Sequence, residues 1–204
     1  MAALLITLLV RRGIEGKSES PPRKKSVGLQ PPSYDPAEPK EEQVGKDWMV
    51  QRVWDSIDPI FFVNDTGIAC NNPGTAPSSY IPIEAGQDLT AIYWYWLHPV
   101  GPMSVWLADC GGPCEDVDVN QLDFFKIWEA GLLEGNLVEG MWYQKQFQKW
   151  DGSPATWPVT IPSTLKPGLY VVRHEILSIH IADSRLPNLS HAGSRFPVCC
   201  YTTY

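Results

Sequence analysis

One stretch near the end of the chain, residues 165–199, constrains the fold more than any other. Lys166, Pro167 and Gly168 predict a turn, because proline presets φ and glycine adopts conformations that other residues resist. Residues 169–180 are rich in β-branched and aromatic side chains, which predicts a strand buried on both faces or nearly so. His174 and His180 lie in this predicted strand at an even spacing, so we expect both side chains on one face.

Short apolar segments occur along most of the chain and are separated by Pro and Gly. The 19 prolines and 16 glycines favour an all-β fold over a helical one. Further strands are predicted at residues 60–63, 80–84, 89–96, 103–108, 124–128 and 157–161. The pattern predicts an all-β chain, folded as an immunoglobulin- or fibronectin-like β-sandwich with long loops. Residues 129–150 are predicted only as a long connection.

The length of 204 residues is enough for one sizeable core, and 44% of the residues are apolar. Residues 1–10 resemble the apolar part of a signal peptide and are too few to span a bilayer, so we expect no membrane span. Residues 11–46 are rich in charged residues, Ser and Pro, a composition typical of disorder. We therefore divide the chain into an aberrant or signal-like, disordered segment, residues 1–30, and one β-sandwich domain, residues 31–204.

The charge of the chain narrows the classes of partner. A net charge of −7 argues against nucleic acid, whose phosphates need a basic surface, and leaves neutral polymers such as carbohydrate open. The sequence has no GxSxG, P-loop or GxGxxG motif. A cluster of carboxylates, Asp109, Glu115, Asp116 and Asp118, lies in one short loop, which is typical of a solvated surface. A glycosidase would need two carboxylates held on opposite sides of a cleft.

The five cysteines suggest disulfides. Cys110 and Cys114 flank a Gly-Gly-Pro turn, a spacing that a small disulfide loop can close. Cys70 and Cys199 lie at the edges of predicted strands, and a disulfide between them could join the first and last parts of the core. Cys200 then has no predicted disulfide partner. Zinc binding is the alternative, although the chain has no CxxC pair.

Disulfides form in oxidising compartments, so we expect a secreted, extracellular protein. Two acceptor patterns for N-glycosylation, at Asn64 and Asn188, are compatible with secretion.

The chain has four histidines, of which two are candidates for metal binding. His174, between Arg173 and Glu175, fits a hydrogen-bonded residue of the core. His98 ends an apolar strand and enters a Pro/Gly turn, where its ring can project at the end of the sandwich. His180 ends its own strand and opens a loop. Imidazole is a good ligand for copper, and we predict that His98 and His180 meet at one end of the sandwich around a copper ion.

These segments resemble a known family. Their order and content are similar to those of the fungal lytic polysaccharide monooxygenases of auxiliary activity family 9, formerly a glycoside hydrolase family, over residues 33–204. The most specific piece is the stretch 173–180, RHEILSIH. The other matching pieces are IACN (68–71), EAGQ (84–87), HPVGP (98–102), VWLA (105–108), FKI (125–127), WPVTIP (157–162), LKPG (165–168) and FPVC (196–199).

The resemblance implies a copper-dependent oxidative cleavage of β-1,4-glucan, chiefly cellulose, at C1 and/or C4 of the sugar. It implies one copper per chain, O₂ or H₂O₂ as the oxidant and an external electron donor. By this resemblance His98 is a copper ligand and His180 steers the oxygen species. Ser194 and Phe196 stand where the family has Gln and an axial Tyr. We expect a monomer whose partner is a polysaccharide, with no nucleic acid and no membrane.

The family's copper site also uses an N-terminal histidine, and no histidine precedes His98 here. One explanation is that residues 1–30 replace a true signal peptide followed by histidine. Another is a relative that binds polysaccharide but is impaired in catalysis, because one imidazole should bind copper poorly. A third is a secreted sandwich with an unrelated ligand.

Overall fold

A computed structural model describes residues 40–47, 49–54, 60, 64–71, 73–77, 79–93, 96 and 98–179, together with the strand backbone of residues 5–11 and 194–198. The strands in this part of the chain are β1 (Leu5–Arg11), β2 (Val53–Trp54), β3 (Pro73–Thr75), β4 (Ile81–Glu84), β5 (Asp88–Tyr93), β6 (Met103–Asp109), β7 (Phe125–Ala130), β8 (Leu132–Glu134), β9 (Met141–Trp142), β10 (Ala155–Thr160), β11 (Gly168–Ser178) and β12 (Ser194–Val198). Its helices are short 3₁₀ turns at Lys40–Glu42, Val119–Gln121 and Tyr143–Phe147.

The long strand β11 is the centre of a six-stranded sheet. The order across this sheet is β4, β1, β11, β6 and β7, and β12 pairs with the last residues of β11. β1 and β12 therefore lie on the same side of β11, β1 along residues 168–173 and β12 along residues 174–178. The other side of β11 pairs antiparallel with β6.

A two-stranded ribbon, β5 paired with β10, covers one face of the large sheet. Trp157 of β10 packs against His174 of β11 and Trp128 of β7, with ring centroids 4.4 Å and 5.1 Å away. Tyr93 of β5 reaches the same histidine. These contacts close one apolar core between the two layers. The predicted all-β sandwich is confirmed.

The predicted strand at residues 169–180 differs from β11 in its burial. Side chains 170–172 are buried, but the pattern then alternates, and Arg173 and Glu175 are partly exposed. These two residues form an ion pair of 3.2 Å, and the Arg173 guanidinium stacks on Phe124 at 4.5 Å. The prediction of burial on both faces was wrong here, because two charged residues occupy the outer face of the sheet.

The strand β1 lies where we predicted a signal-like or disordered segment. Leu5 is opposite Arg173 of β11 in an antiparallel pairing, and Leu8 is opposite Ile81 of β4 in a parallel one. The sequence of β1, LITLLVR, contains enough β-branched and apolar residues to add a strand between two others. The division of the chain at residue 30 stays a prediction.

Candidate functional site

His98 lies in a connection between β5 and β6 and is half-buried. Its ring packs edge-on against Trp96, with centroids 5.2 Å apart and an interplanar angle of 68°. The indole Nε1 of Trp96 also donates a hydrogen bond of 2.6 Å to the carbonyl oxygen of His98. One aromatic side chain therefore supports both the ring and the backbone of this histidine.

The turn that follows, residues 98–102, is bound to the end of β11. The Ile179 amide donates to the Val100 carbonyl, and the Leu177 amide donates to the Pro102 carbonyl, both at 3.0 Å. Gly101 has a φ of +137°, and a Cβ there would lie 1.8 Å from the Leu177 carbonyl oxygen. Only glycine fits this close approach of two backbones. The His98 turn thus packs on the residues that lead into His180.

The remaining predicted site residues are described only in part. His180, Asn188 and Cys199 lie outside the described residues. Ser194 and Phe196 are placed by their backbone in β12, opposite Ser178 and Ile176. Since Ser178 is the last residue of β11, β12 begins at the end of the sheet where the His98 turn packs.

His174 is a residue of the core, as predicted. It is 0% exposed, its ring packs on Trp157, and its Nδ1 lies 3.3 Å from the hydroxyl of Tyr93. No described residue is a hydrogen-bond partner of its Nε2. Burial lowers the pKa of His174 to about 3, so the ring is neutral near neutral pH.

The cysteine predictions have two outcomes. Cys110 and Cys114 form the predicted disulfide. Cys70 is buried in the core, as expected of a residue that joins core segments, while its predicted partner Cys199 lies outside the described residues. The pairing of Cys70 with Cys199 stays a prediction.

The acidic loop is exposed, as predicted. Asp109, Glu115, Asp116 and Asp118 are all solvent-exposed. The Tyr80 hydroxyl donates a hydrogen bond to Glu115, which lowers the pKa of that carboxyl group. Asn64, the first glycosylation candidate, is also exposed.

The described residues contain no group of three His, Cys, Asp or Glu side chains close enough to hold a metal ion. His98 is half-exposed and supplies one imidazole, which fits a single copper ligand. Further ligands would have to come from residues outside the described part; His180, which lies there, is predicted to steer the oxygen species.

A cleft of about 480 Å³ lies elsewhere, between residues 64–69 and residues 118–124, with Arg173 at its wall. No residue of the His98 turn lines it. In the described part of the chain, no helix is both long and apolar enough to cross a bilayer.

Sequence reasoning missed one polar residue that contacts the His98 turn. Gln144 is fully buried in the 3₁₀ turn Tyr143–Phe147 and hydrogen-bonds to Gly101. Its segment, residues 129–150, was predicted only as a connection. A glutamine beside Trp142, Tyr143 and Phe147 was the available signal, because a polar residue among large apolar ones needs buried partners.

Comparison with known proteins identifies the family. The sequence model of Auxiliary Activity family 9, formerly GH61, matches residues 27–191. The chain belongs to this family. The match includes the His98 turn and the whole of β11. The resemblance predicted from the sequence motifs is thereby confirmed.

Two relatives show the extent of the similarity. The chain is 37% identical over 137 residues to AA9 family lytic polysaccharide monooxygenase B of Heterobasidion irregulare, which covers 66% of this chain and 55% of the relative. It is 36% identical over 142 residues to AA9 family lytic polysaccharide monooxygenase-like protein CEL1 of Agaricus bisporus, covering 67% and 43%. The chain thus spans about half the length of the curated relatives it matches.

Solved structures support the same family. The crystal structure of HiLPMO9B has a TM-score of 0.62 and 33% identity, and the match covers 76% of this chain and 65% of that one. The extended catalytic domain of H. jecorina LPMO9A has a TM-score of 0.66 and 29% identity, covering 83% and 66%.

Proposed function

We propose that this protein cleaves β-1,4-glucan chains, chiefly cellulose, by oxidation at C1 and/or C4. The proposal assigns it one copper ion, an external electron donor and O₂ or H₂O₂ as the co-substrate. The observation that carries it is the match to Auxiliary Activity family 9 over residues 27–191, which includes the His98 turn. The curated relatives with similar sequences are named lytic polysaccharide monooxygenases or proteins like them.

His98 is the residue that we assign as a copper ligand. A metal ligand must be neutral and accessible, and the half-buried ring at the end of the sheet satisfies the second condition. The backbone hydrogen bonds from Leu177 and Ile179 keep the turn in one place, so the imidazole is oriented before any metal binds. When copper is bound, it supplies the one-electron chemistry with the oxygen co-substrate.

The other site residues enter the proposal through the family resemblance. His180 is assigned to hold and move a proton beside the oxygen co-substrate, a role that suits imidazole. Phe196 has no ligand atom, so its side chain would supply no bond to a copper ion. Ser194 stands where the family has Gln, and its hydroxyl side chain is too short to replace the hydrogen bond of that glutamine.

The compartment follows from the cysteines. The Cys110–Cys114 disulfide is of the kind that persists in oxidising surroundings, which supports secretion. An extracellular, monomeric protein would meet insoluble polysaccharide directly, and N-glycans at Asn64 and Asn188 would be compatible with that location.

A second candidate is polysaccharide binding without oxidation. It is favoured by the residues at positions 194 and 196, Ser and Phe, which replace the Gln and Tyr of the family pattern. No histidine precedes His98 in the sequence, so the remaining copper ligands of the family are not represented among residues 1–97.

The two candidates separate in one assay. The purified protein is loaded with copper and incubated with cellulose, O₂ and a small-molecule reductant, and the soluble sugars are analysed by mass spectrometry. The proposal predicts oligosaccharides oxidised at C1 or C4, and their loss in His98→Ala. The matched control is His174→Gln, which changes the buried histidine and should keep the products. Pull-down on cellulose without oxidised products would favour the second candidate. A protein that neither binds cellulose nor yields oxidised products would contradict both candidates.

A further inference from the structure

A buried glutamine connects three parts of the chain at the His98 turn. Gln144 is 0% exposed and lies in the 3₁₀ turn Tyr143–Phe147. Its Nε2 donates to the carbonyl oxygens of Gly101 and Leu177, both at 3.1 Å. Its Oε1 accepts a hydrogen bond of 3.2 Å from the indole of Trp96.

The partners determine the orientation of this amide group. The two carbonyl oxygens can only accept, and the indole nitrogen can only donate, so the NH₂ must point to the first two and the oxygen to the third. Both hydrogens of the NH₂ group are used. A side chain of the same length without polar atoms would leave the buried Gly101 carbonyl and the partly buried Leu177 carbonyl without these donors.

These contacts reach His98 by two routes. The single indole N–H of Trp96 is shared between two acceptors, the His98 carbonyl at 2.6 Å and the Gln144 Oε1 at 3.2 Å, and the Trp96 ring packs against the His98 ring. Gly101 lies three residues beyond His98 in the same turn, and its carbonyl is bound to Gln144. Gln144 therefore hydrogen-bonds to Trp96, before His98 in the chain, and to Gly101, after it. None of these hydrogen bonds reaches the imidazole itself.

The same side chain also fixes the turn to β11. The Leu177 carbonyl oxygen accepts a hydrogen bond from Gln144, and the Leu177 amide donates one to the Pro102 carbonyl. Leu177 is thus joined to the turn through both of its backbone groups. Its amide binds the turn directly, and its carbonyl is linked to Gly101 through Gln144.

We propose that Gln144 is a positioning residue for His98. It holds the Trp96 indole and the Gly101 carbonyl so that the imidazole keeps one orientation at the end of β11. The importance of this for copper rests on the function proposed above, whereas the positioning itself can be measured without metal.

The first measurement uses metal-free protein. Gln144→Met keeps the length of the side chain and removes its hydrogen bonds. We expect amide hydrogen exchange at Leu177 and Ile179 to become at least about tenfold faster relative to the buried strand amide of Val171, as expected when a local opening becomes easier. The His98 ring resonances should shift at the same time, because the ring changes its position relative to Trp96.

Phe147→Leu is the matched control. It alters a buried residue of the same 3₁₀ turn that packs on Tyr93 and Trp157 and makes none of these hydrogen bonds. We expect it to accelerate the exchange of all core amides by a common factor and to leave the His98 resonances in place. If Gln144→Met behaves like this control, the positioning role is overturned.

A second variant guards against a failure of Gln144→Met to fold. Trp96→Phe keeps an aromatic ring beside His98 and removes the indole donor. It should shift the His98 resonances in the metal-free protein, and unchanged resonances would overturn the proposal.

Copper affinity is then measured by titration of Cu(II). We expect about a tenfold weaker Kd in Gln144→Met than in the wild type, and no change in Phe147→Leu. Equal affinity in Gln144→Met would overturn the positioning role. A wild type that binds no copper, together with shifted His98 resonances in Gln144→Met, would contradict the proposed function and still support the positioning role.

Discussion

Two histidines of this chain lie in opposite kinds of surroundings. His174 is 0% exposed, packs on Trp157 and faces the Tyr93 hydroxyl, in the middle of the sandwich. His98 is half-buried at the end of the large sheet, in a turn that is bound by backbone hydrogen bonds. The comparison teaches that the residue type does not decide the role. Burial keeps the His174 ring neutral, whereas the His98 ring is half-buried in a turn that hydrogen bonds hold at the end of the sheet.

The two regions are also stabilised by different forces. Aromatic packing dominates around His174, where Trp128, Trp157 and Phe147 lie against each other. Around His98 the stabilising contacts are hydrogen bonds, both between the backbones of the turn and β11 and from the side chains of Trp96 and Gln144. Substitutions in the first region should therefore act by loss of core packing, and those in the second by loss of the connection between the turn and β11. The following predictions test this contrast in order of expected effect.

The largest effect is expected from Trp157→Ala in the core. Trp157 is 0% exposed and contacts His174, Trp128 and Phe147. Removal of a buried aromatic ring should lower the free energy of unfolding by about 4 kcal/mol. Urea unfolding followed by fluorescence measures it. The control is Trp150→Ala, since Trp150 is 74% exposed, and we expect a change below about 0.5 kcal/mol. Equal losses in both variants would contradict the packing account.

The next effect is expected at the turn. Gly101→Ala would place a Cβ 1.8 Å from the Leu177 carbonyl oxygen at a φ of +137°. We expect this clash and the strained backbone to lower the free energy of unfolding by about 3 kcal/mol, measured by urea unfolding. Gly152→Ala is the matched control, because Gly152 also has a positive φ, +77°, with nothing within 4 Å. It should cost only about 1 kcal/mol. Similar losses in the two variants would mean that the turn does not depend on this close approach.

A pH effect should separate the two regions further. Burial lowers the pKa of His174 from 6.5 to about 3, so the unfolded chain binds a proton more readily than the folded one. This contribution to stability is complete above about pH 6.5 and is lost as the pH falls toward about 3. Between about pH 7 and pH 5 it amounts to about 2 kcal/mol. His174→Gln has no titrating ring, so its free energy of unfolding should fall by about 2 kcal/mol less than that of the wild type between pH 7 and pH 5. Urea titrations of both proteins at the two pH values measure the difference. Equal losses of unfolding free energy in the variant and the wild type would contradict a buried, neutral His174.

The smallest effect concerns the hydrogen bond between Tyr93 and His174. Tyr93→Phe removes the hydroxyl that lies 3.3 Å from Nδ1 and leaves the ring packing in place. We expect a loss of about 1 kcal/mol at neutral pH, measured by urea unfolding. In the double variant Tyr93→Phe, His174→Gln, the loss should be smaller than the sum of the two single losses, because the residues interact. Strict additivity would show that the hydroxyl does not bind the ring.

The sequence predicted six of the twelve strands in the described part of the chain, because their signals are local. Alternating or continuous apolar runs, bounded by Pro and Gly, located β4, β5, β6, β7, β10 and β11 to within a few residues. The charged outer face of β11 was not predicted, since the rings of Trp106 and Phe124, which the Arg173 guanidinium covers, are distant in the sequence. β8 and β9 were missed because a short hairpin with exposed apolar residues has no clear period.

The candidate site was predicted less completely than the fold. The Pro/Gly turn after the apolar strand marked His98 as a residue of the connection at the end of the sheet, where it lies half-buried, and the prediction that His174 belongs to the core was correct. The partners of Gln144 could not be predicted, because residues 96, 101 and 177 are brought together only by the tertiary fold. The roles of His180, Ser194 and Phe196 remain predictions.

The central claim is that His98, and not His174, is the histidine available to copper. Cu(II) titrated into the wild type, His98→Ala and His174→Gln, with the nitrogen couplings recorded by pulsed EPR, tests it most directly. The account predicts an imidazole coupling in the wild type that persists in His174→Gln and is weakened or lost in His98→Ala. A coupling unchanged in His98→Ala would contradict it.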